Sequence, residues 1–425
     1  MLRIFRRSSK EKTLHPLVRI NKPRNTNFIM WAIPIGLVIL SGCLIASTQR
    51  NSDFADWYQH WLTACVGVLV ALGLARLPLR RYKPFLFPMY CVTVLSLIAV
   101  RVIGVSALGS QRWLSFGGIH FQPSELAKIV AILLLAAVLE RHPISKPVDL
   151  IRPLVVISIP WGLVFVQPDL GTSLVFGAVL ITMLYWSGMK LEWVVIFFSG
   201  LITAIFTAGY PWGLLLWIPL ISLLAYRTLP FRVTFASLIF LFQILIAFAT
   251  PWIWENGLKA YQRDRLLLFL DPSKDPLGGG YHLLQSTIGI GSGGLFGSGL
   301  LQGELTKLQF IPEQHTDFIF SALGEETGFL GTFIVVFSFA LLIFELLKIA
   351  RRARTDYESL VVIGIATMVM FQVIVNIFMT IGLGPVTGIP LPFMSYGRTA
   401  LVINFMAIGI CLSVARQSFL NSENL

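Results

Sequence analysis

Apolar residues in this chain fall into long runs separated by short polar or Gly- and Pro-rich stretches. The runs lie near 28–47, 59–76, 84–104, 125–140, 150–166, 172–188, 191–208, 212–226, 232–250, 318–347, 359–382 and 399–415. At ~1.5 Å of rise per helical residue, a run of about 20 residues crosses the ~30 Å hydrocarbon core of a bilayer. Lipid offers the backbone no hydrogen-bond partners, so each run predicts a spanning helix. The chain reads as an all-α polytopic membrane protein with about twelve transmembrane helices; the pair within 191–226 has the weakest pattern. One stretch cannot be a span. Tyr261–Tyr281 has charges at Arg263, Asp264 and Arg265, two Asp-Pro pairs at Asp271 and Asp275, and three glycines at 278–280. It predicts a large loop, 251–317, between helices.

Composition agrees with a membrane setting. The 425 residues are 56% hydrophobic and 13% charged, with a mean hydropathy of +0.77, against roughly 25% charged in soluble domains. The net charge of +12 would suggest a nucleic-acid partner in a soluble protein. Here its distribution excludes that reading. Basic residues crowd the first 27 positions and then every second loop, at Arg76–Lys83, Arg141–Arg152, Lys190, Arg227–Arg232 and Lys348–Arg354, with Arg416 after the last span. Lys and Arg are retained on the cytoplasmic side, so both termini are expected there and the number of spans is even. The expected organisation is a basic cytoplasmic tail (1–27), one membrane domain (28–416) with the large outer loop, and a short cytoplasmic tail (417–425). The start is too polar before its first apolar run for a signal peptide. Cys43, Cys65, Cys91 and Cys411 lie inside apolar runs without metal-ligand spacing and read as buried thiols.

The unusual polar groups gather in or just beneath the loops expected outside. Gln122-Pro123-Ser124-Glu125 opens a span, with Pro123 suited to a first helical turn. Glu125 and Lys128, three residues apart, share a helix face; they read either as an ion pair fixing helix packing or as the lining of a wet outer cavity. Asp169, in a tight turn at 167–172, reads either as a helix cap or as a site residue. His315 and Asp317 precede a span that carries Glu325 and Glu326, which at that depth need cationic partners or protonation. The glycine-dense Gly291–Gly299 lacks the Lys-Ser/Thr ending of a phosphate loop and suggests flexible or re-entrant packing. No zinc spacing links His60, His120, His282 and His315, and no GxSxG signal is present. Outer-face carboxylates near Arg and Lys remain as catalytic candidates.

Five ordered stretches together resemble the SEDS family (shape, elongation, division and sporulation), in its RodA-like branch. They are Gln111-Arg112-Trp113 with Gln122–Lys128, QPDLGT at 167–172, YQRDR…DPSKDPLGGGY at 261–281, PEQHTDFIFSALGEETG at 312–328 and PVTGIPLPFMSYG at 385–397. The resemblance runs from about 30 to 416 and implies ten family-typical spans, so the sequence within 190–250 has room for an extra pair. It implies a peptidoglycan glycosyltransferase of the bacterial plasma (inner) membrane, catalytic face outward, that polymerises lipid II during elongation. It further implies a class B penicillin-binding protein as partner, beside other elongation-complex membrane proteins.

By the same resemblance Asp275, the Asp of a DPxG motif, is the candidate general base. Glu125, Lys128 and Asp169 match family site positions. Gln122, His315, Asp317, Glu325 and Ser395 are expected on the substrate through the stretches that contain them. Arg112, Lys128, Arg263 and Arg265 are candidates for the diphosphate, a role that a divalent cation (Mg or Mn) could share. Arg398 stands where the family usually has a second glycine, so it either contacts phosphate or changes local packing. Rival readings are a lipid II flippase or transporter, a non-catalytic scaffold, and an FtsW-like role in division.

Overall fold

The computed structural model describes residues 24–48, 57–107, 110–116, 119–167, 169–257, 263–264, 268, 279–308, 310 and 314–420. Asp275 and Arg265 lie outside the described residues, as does most of the basic tail.

Helices stand at all twelve apolar runs. They are α1 (Arg24–Thr48), α2 (Trp57–Arg76), α3 (Leu86–Ile103), α4 (Pro123–Arg141), α5 (Ile151–Val166), α6 (Leu170–Trp186), α7 (Leu191–Gly209), α8 (Leu214–Thr228) and α9 (Arg232–Trp252). After the large loop, which contributes α10 (Gly279–Ser292) and the single turn α11 (Glu304–Lys307), come α12 (Ile319–Arg352), α13 (Asp356–Thr380) and α14 (Arg398–Leu420). Nine of the described helical segments are long and apolar enough to cross a membrane. Of the other three, α4 carries Glu125, Lys128, Glu140 and Arg141, while α6 and α8 have 17 and 15 residues. The chain is a polytopic all-α membrane protein.

The helices differ in how they meet lipid. Most of α13 and α14 is buried inside the protein, and α4 buries residues all round its circumference. Ile132 on α4 and Met183 on α6 both close on Gly364 of α13, so these helices form the inner layer. By contrast, α8 and α9 pack on α7 and on each other, and only α7 continues the contact inward, to α6. Gln243 is the one fully buried residue of α9. Its amide bonds Ser199 of α7 and accepts the Thr203 hydroxyl at 2.5 Å, and Trp217 of α8 donates to Thr203 at 3.1 Å. Interhelical hydrogen bonds of this kind hold helices together where lipid removes the hydrophobic driving force.

Two features were not in the sequence expectations. The segment expected to be a loop at 101–124 contains a three-stranded antiparallel sheet, β1 (Val105–Ala107), β2 (Ser110–Phe116) and β3 (Ile119–Phe121). Val105 pairs with Trp113, and Leu114 with Phe121.

The second is that α12 is two helices joined at Gly328, whose φ is +64° and ψ −163°. The first piece starts at the outer-loop end of α13, where the Asn376 amide donates to the Asp317 carbonyl at 2.9 Å. It ends at the outer-loop end of α1, where Glu326 accepts the Ser47 hydroxyl. It therefore runs along the loop-bearing face before the chain turns to cross. The glycine-dense segment fills the break. Phe329 and Leu330 donate to the carbonyls of Gly294 and Leu295 at 2.9 and 3.1 Å, and Ser298 and Gly299 donate to those of Glu325 and Glu326 at 2.9 and 3.0 Å. Gly297 has φ +78°, and a Cβ there would stand 2.2 Å from the Glu326 carbonyl. Glycine is thus required by conformation and by space. Gly291–Gly299 is a fitted insert.

Candidate functional site

The loop-bearing face gathers the motif residues through a few specific contacts. Pro123 starts α4 directly after the sheet, which puts Glu125 in the first turn and Lys128 in the next. Their side chains pair at 2.8 Å, and each is 2% exposed. Burial strengthens the attraction of such a pair and raises the cost of separating it. Lys128 uses one of its three donors on Glu125 Oε1, while Glu125 Oε2 and Ser124 Oγ have no partner among the described residues. The pair thus has polar valence to offer a ligand.

Asp169 is a helix cap, the first of its two readings, and it also faces a cation. Its Oδ1 caps α6 by accepting the Thr172 N–H at 3.1 Å, and the Arg112 guanidinium of β2 lies 3.7 Å from the same oxygen. The sheet is what delivers Arg112 here. The turn after Asp169 is pressed against the last outer loop. A Cβ on Gly171 would meet the Thr387 carbonyl at 2.7 Å and the Ile389 side chain at 2.6 Å.

Asn376, a buried amide in the last turns of α13, clamps two motifs together, donating to the carbonyls of Asp317 (2.9 Å) and Ile389 (2.8 Å). The Asp317 carboxylate lies beside Gly388. The His315 carbonyl accepts the Tyr396 N–H at 2.9 Å, and the Tyr396 ring stands between those of His315 and His60, at 5.9 and 6.3 Å. The α4 start is joined to α14 through Thr399, which donates to the His120 carbonyl (3.1 Å) and accepts the Gln122 N–H (3.3 Å). Arg112, Gln122, Glu125, Lys128, Asp169, His315 and Asp317 are therefore linked on one face.

Two expected site residues, Glu325 and Ser395, occupy local structural positions, as does Glu326 beside the first. Glu325 accepts from the Leu305 and Thr306 amides (2.8 and 2.9 Å) and from the Thr306 hydroxyl (2.6 Å). Glu326 accepts the Leu301 N–H at 2.9 Å. These partners are neutral backbone amides and hydroxyls of the inserted segment and α1, in place of the cationic partners that the sequence suggested. Ser395 Oγ accepts the Leu391 N–H at 2.7 Å and shapes its own turn. Arg263 is half-buried and Asp264 exposed. Arg398 hydrogen-bonds Gln59 of α2 at the surface, which favours the packing alternative for this residue. Among the described residues no three His, Cys, Asp or Glu side chains come together as a metal-holding group.

Asn376, Thr399 and Gln167, which donates to the Leu97 carbonyl at 2.6 Å, were missed as site-building residues. For Asn376 the signal was present: an amide inside an apolar span is costly unless it is bonded.

Comparison with known proteins fits this arrangement. The family described as cell cycle proteins (FtsW, RodA and SpoVE) matches residues 24–218 and 214–419. The two matches meet inside α8, in the region where the sequence has room for an extra helix pair. The chain is 36% identical over 388 residues to the peptidoglycan glycosyltransferase MrdB of Escherichia coli K12, covering 91% of this chain and 92% of that one. To the peptidoglycan glycosyltransferase RodA of Treponema pallidum it is 30% identical over 441 residues, covering 94% and 100%. A solved structure, described as showing how a peptidoglycan synthase complex coordinates polymerization and crosslinking, superposes with a TM-score of 0.67 at 31% identity, over 92% of this chain and 97% of that one. With the family matched over nearly its whole length and the motif residues joined on one face, this chain belongs to the FtsW, RodA and SpoVE family.

Proposed function

We propose that this protein is a peptidoglycan glycosyltransferase that polymerises lipid II at the loop-bearing face during cell elongation, in partnership with a class B penicillin-binding protein. The observation that carries the reading is the near full-length match to an enzyme named for that activity. The geometry supports it, since two ion pairs, Glu125–Lys128 and Arg112–Asp169, are held on the motifs of one face. The setting is the bacterial plasma membrane with the loop face outward. In support, Arg76, Arg141, Arg227, Arg352 and Arg416 stand at or near the helix ends opposite that face, as the bias of Lys and Arg towards the cytoplasm requires.

In the proposed reaction a sugar hydroxyl of one substrate attacks the anomeric carbon of another. The new C–O bond forms as the bond to the lipid diphosphate breaks, and the diphosphate leaves with the bonding pair. Asp275 takes the hydroxyl proton. Pro276 restricts the backbone of Asp275 to extended conformations. Arg112, Lys128, Arg263 and Arg265 supply positive charge for the diphosphate. Gln122, Glu125, Asp169, His315 and Asp317 position the substrate and these cations, while Glu325 and Ser395 act through the backbone they hold. A divalent cation, Mg or Mn, would add charge at the diphosphate when bound.

The test is glycan-strand synthesis from labelled lipid II by purified protein, with and without a class B penicillin-binding protein. Wild type should yield polymer and Asp275→Asn none, with folding and partner binding unchanged. Polymer from Asp275→Asn would remove the base assignment. No polymer from wild type with partner and divalent cation present would remove the enzyme reading, and lipid II flipping in vesicles under those conditions would replace it with transport.

A further inference from the structure

The face opposite the large loop carries a feature that the glycosyltransferase reading does not use. A shallow groove of about 160 Å³ opens there between α1, α2 and α14, lined by Trp31, Leu72, Ala75, Arg76, Leu412 and Arg416. Its floor is almost wholly apolar, and its rim has two arginines from different helices. Both are exposed, and neither has a salt bridge among the described residues. Neither flanking tail is rich in acid: residues 1–27 hold eight Lys or Arg and one acidic residue, Glu11, and residues 417–425 hold one, Glu423.

The spacing of the two arginines is fixed by packing. Gly409 lies against the Ala71 carbonyl, where a Cβ would stand 2.6 Å away. The Ser413 hydroxyl donates to the Leu77 carbonyl at 2.6 Å, next to Arg76 and one turn from Arg416. Two guanidinium groups on a rigid helix pair, above an apolar slot at the end of a membrane span, match a phosphodiester joined to an acyl chain. Trp31 adds an aromatic of the kind that settles at headgroup level.

We propose that this groove binds an anionic phospholipid, its phosphate between Arg76 and Arg416 and the start of one acyl chain over Leu72, Ala75 and Leu412. The amide-free, apolar floor fits hydrocarbon, and fixed double positive charge discriminates an anionic from a zwitterionic headgroup. The site lies on the far side of the membrane domain from Glu125 and Lys128, so occupancy is independent of substrate binding.

The experiment uses the full chain, purified in detergent and stripped of lipid. Phosphatidylglycerol, phosphatidylcholine and soluble glycerol phosphate are titrated separately, read by native mass spectrometry and by the thermal midpoint. Phosphatidylglycerol should bind and raise the midpoint, phosphatidylcholine should do so far less, and glycerol phosphate should do neither. Arg76→Ala and Arg416→Ala should each weaken phosphatidylglycerol binding about fivefold, the effect of roughly 1 kcal/mol per basic group at a membrane surface. The corresponding Lys variants should retain most of it. Leu72→Trp, at an exposed lining position, should weaken binding by filling the slot without touching charge. Equal binding of the two lipids, equal effects of glycerol phosphate and phosphatidylglycerol, or wild-type binding by both the double Ala variant and Leu72→Trp would each overturn the proposal. The last result would assign the groove to the chain's own tail or to neutral lipid.

Discussion

The inner helices and the α7–α9 group solve the same problem, polar atoms inside a membrane protein, with different chemistry. In the inner layer, α4 buries a charged pair, Glu125–Lys128, and α13 buries an amide that joins two outer motifs. In the outer group, Ser199, Thr203, Trp217 and Gln243 form a neutral knot, in which Gln243 bonds to Ser199 and Thr203. The Glu125–Lys128 pair sits where the protein surrounds the helix on all sides; in the α7–α9 group, where one face meets lipid, the buried polar groups are neutral. A charge needs a permanent partner and protein cover, and both are available only in the inner layer. Function follows the same division, since the linked motifs belong to the inner layer and the outer group contributes none of those contacts.

The strongest way to break this comparison is to remove half of the charged pair. Lys128→Met leaves Glu125 buried and uncompensated, and should cost on the order of 3–5 kcal/mol as well as abolish turnover. Lys128→Met with Glu125→Gln should recover much of the stability and none of the activity. Thermal unfolding in detergent beside the lipid II assay reads both, and a single variant as stable as wild type would refute the pair's structural role. Next comes Gly297→Ala in the α12 insert. A left-handed backbone and a close carbonyl oppose the new methyl, for a loss of about 1–3 kcal/mol or more, visible as a lowered thermal midpoint. Gln243→Leu should be milder, since interhelical hydrogen bonds in membranes average about 0.6 kcal/mol and reach about 1.7. Its lipid II turnover should be close to wild type; a collapse of activity would show that the outer group governs the site. Arg398→Gly should have the smallest effect. The residue makes a surface hydrogen bond to Gln59, so stability should change by within about 0.5 kcal/mol and polymer yield should be unaffected.

Much of this was legible in the sequence because it is local. Each apolar run marked a helix, and Pro123 marked where α4 begins. Boundaries slipped where amphipathic ends continue a helix beyond its apolar run, as Lys348–Arg352 extend α12. The sheet was missed although Gly117-Gly118, between Trp113–Phe116 and Ile119–Phe121, is a hairpin signal; in a chain of long spans it was absorbed into a loop. The partners of Glu325 and Glu326 were beyond any pattern reading. Most are amides, of Leu301, Leu305 and Thr306, and an amide carries no residue identity for a pattern to catch; the others are the Ser47 and Thr306 hydroxyls, distant in sequence. The two readings of Asp169 could not be separated because the oxygen that caps α6 also faces Arg112.

The interrupted α12 also has a consequence for biogenesis. Unbroken, its 34 residues would form a rod of roughly 51 Å, too long for the bilayer and with Glu325 and Glu326 in the part before Gly328. Because the chain turns at Gly328, the insertion machinery needs to accept only the portion from Phe329 onward as a span. The acidic portion can stay with the loop, where it closes on Gly294–Gly299, a segment that precedes it in the chain and needs neither α13 nor α14 to be reached.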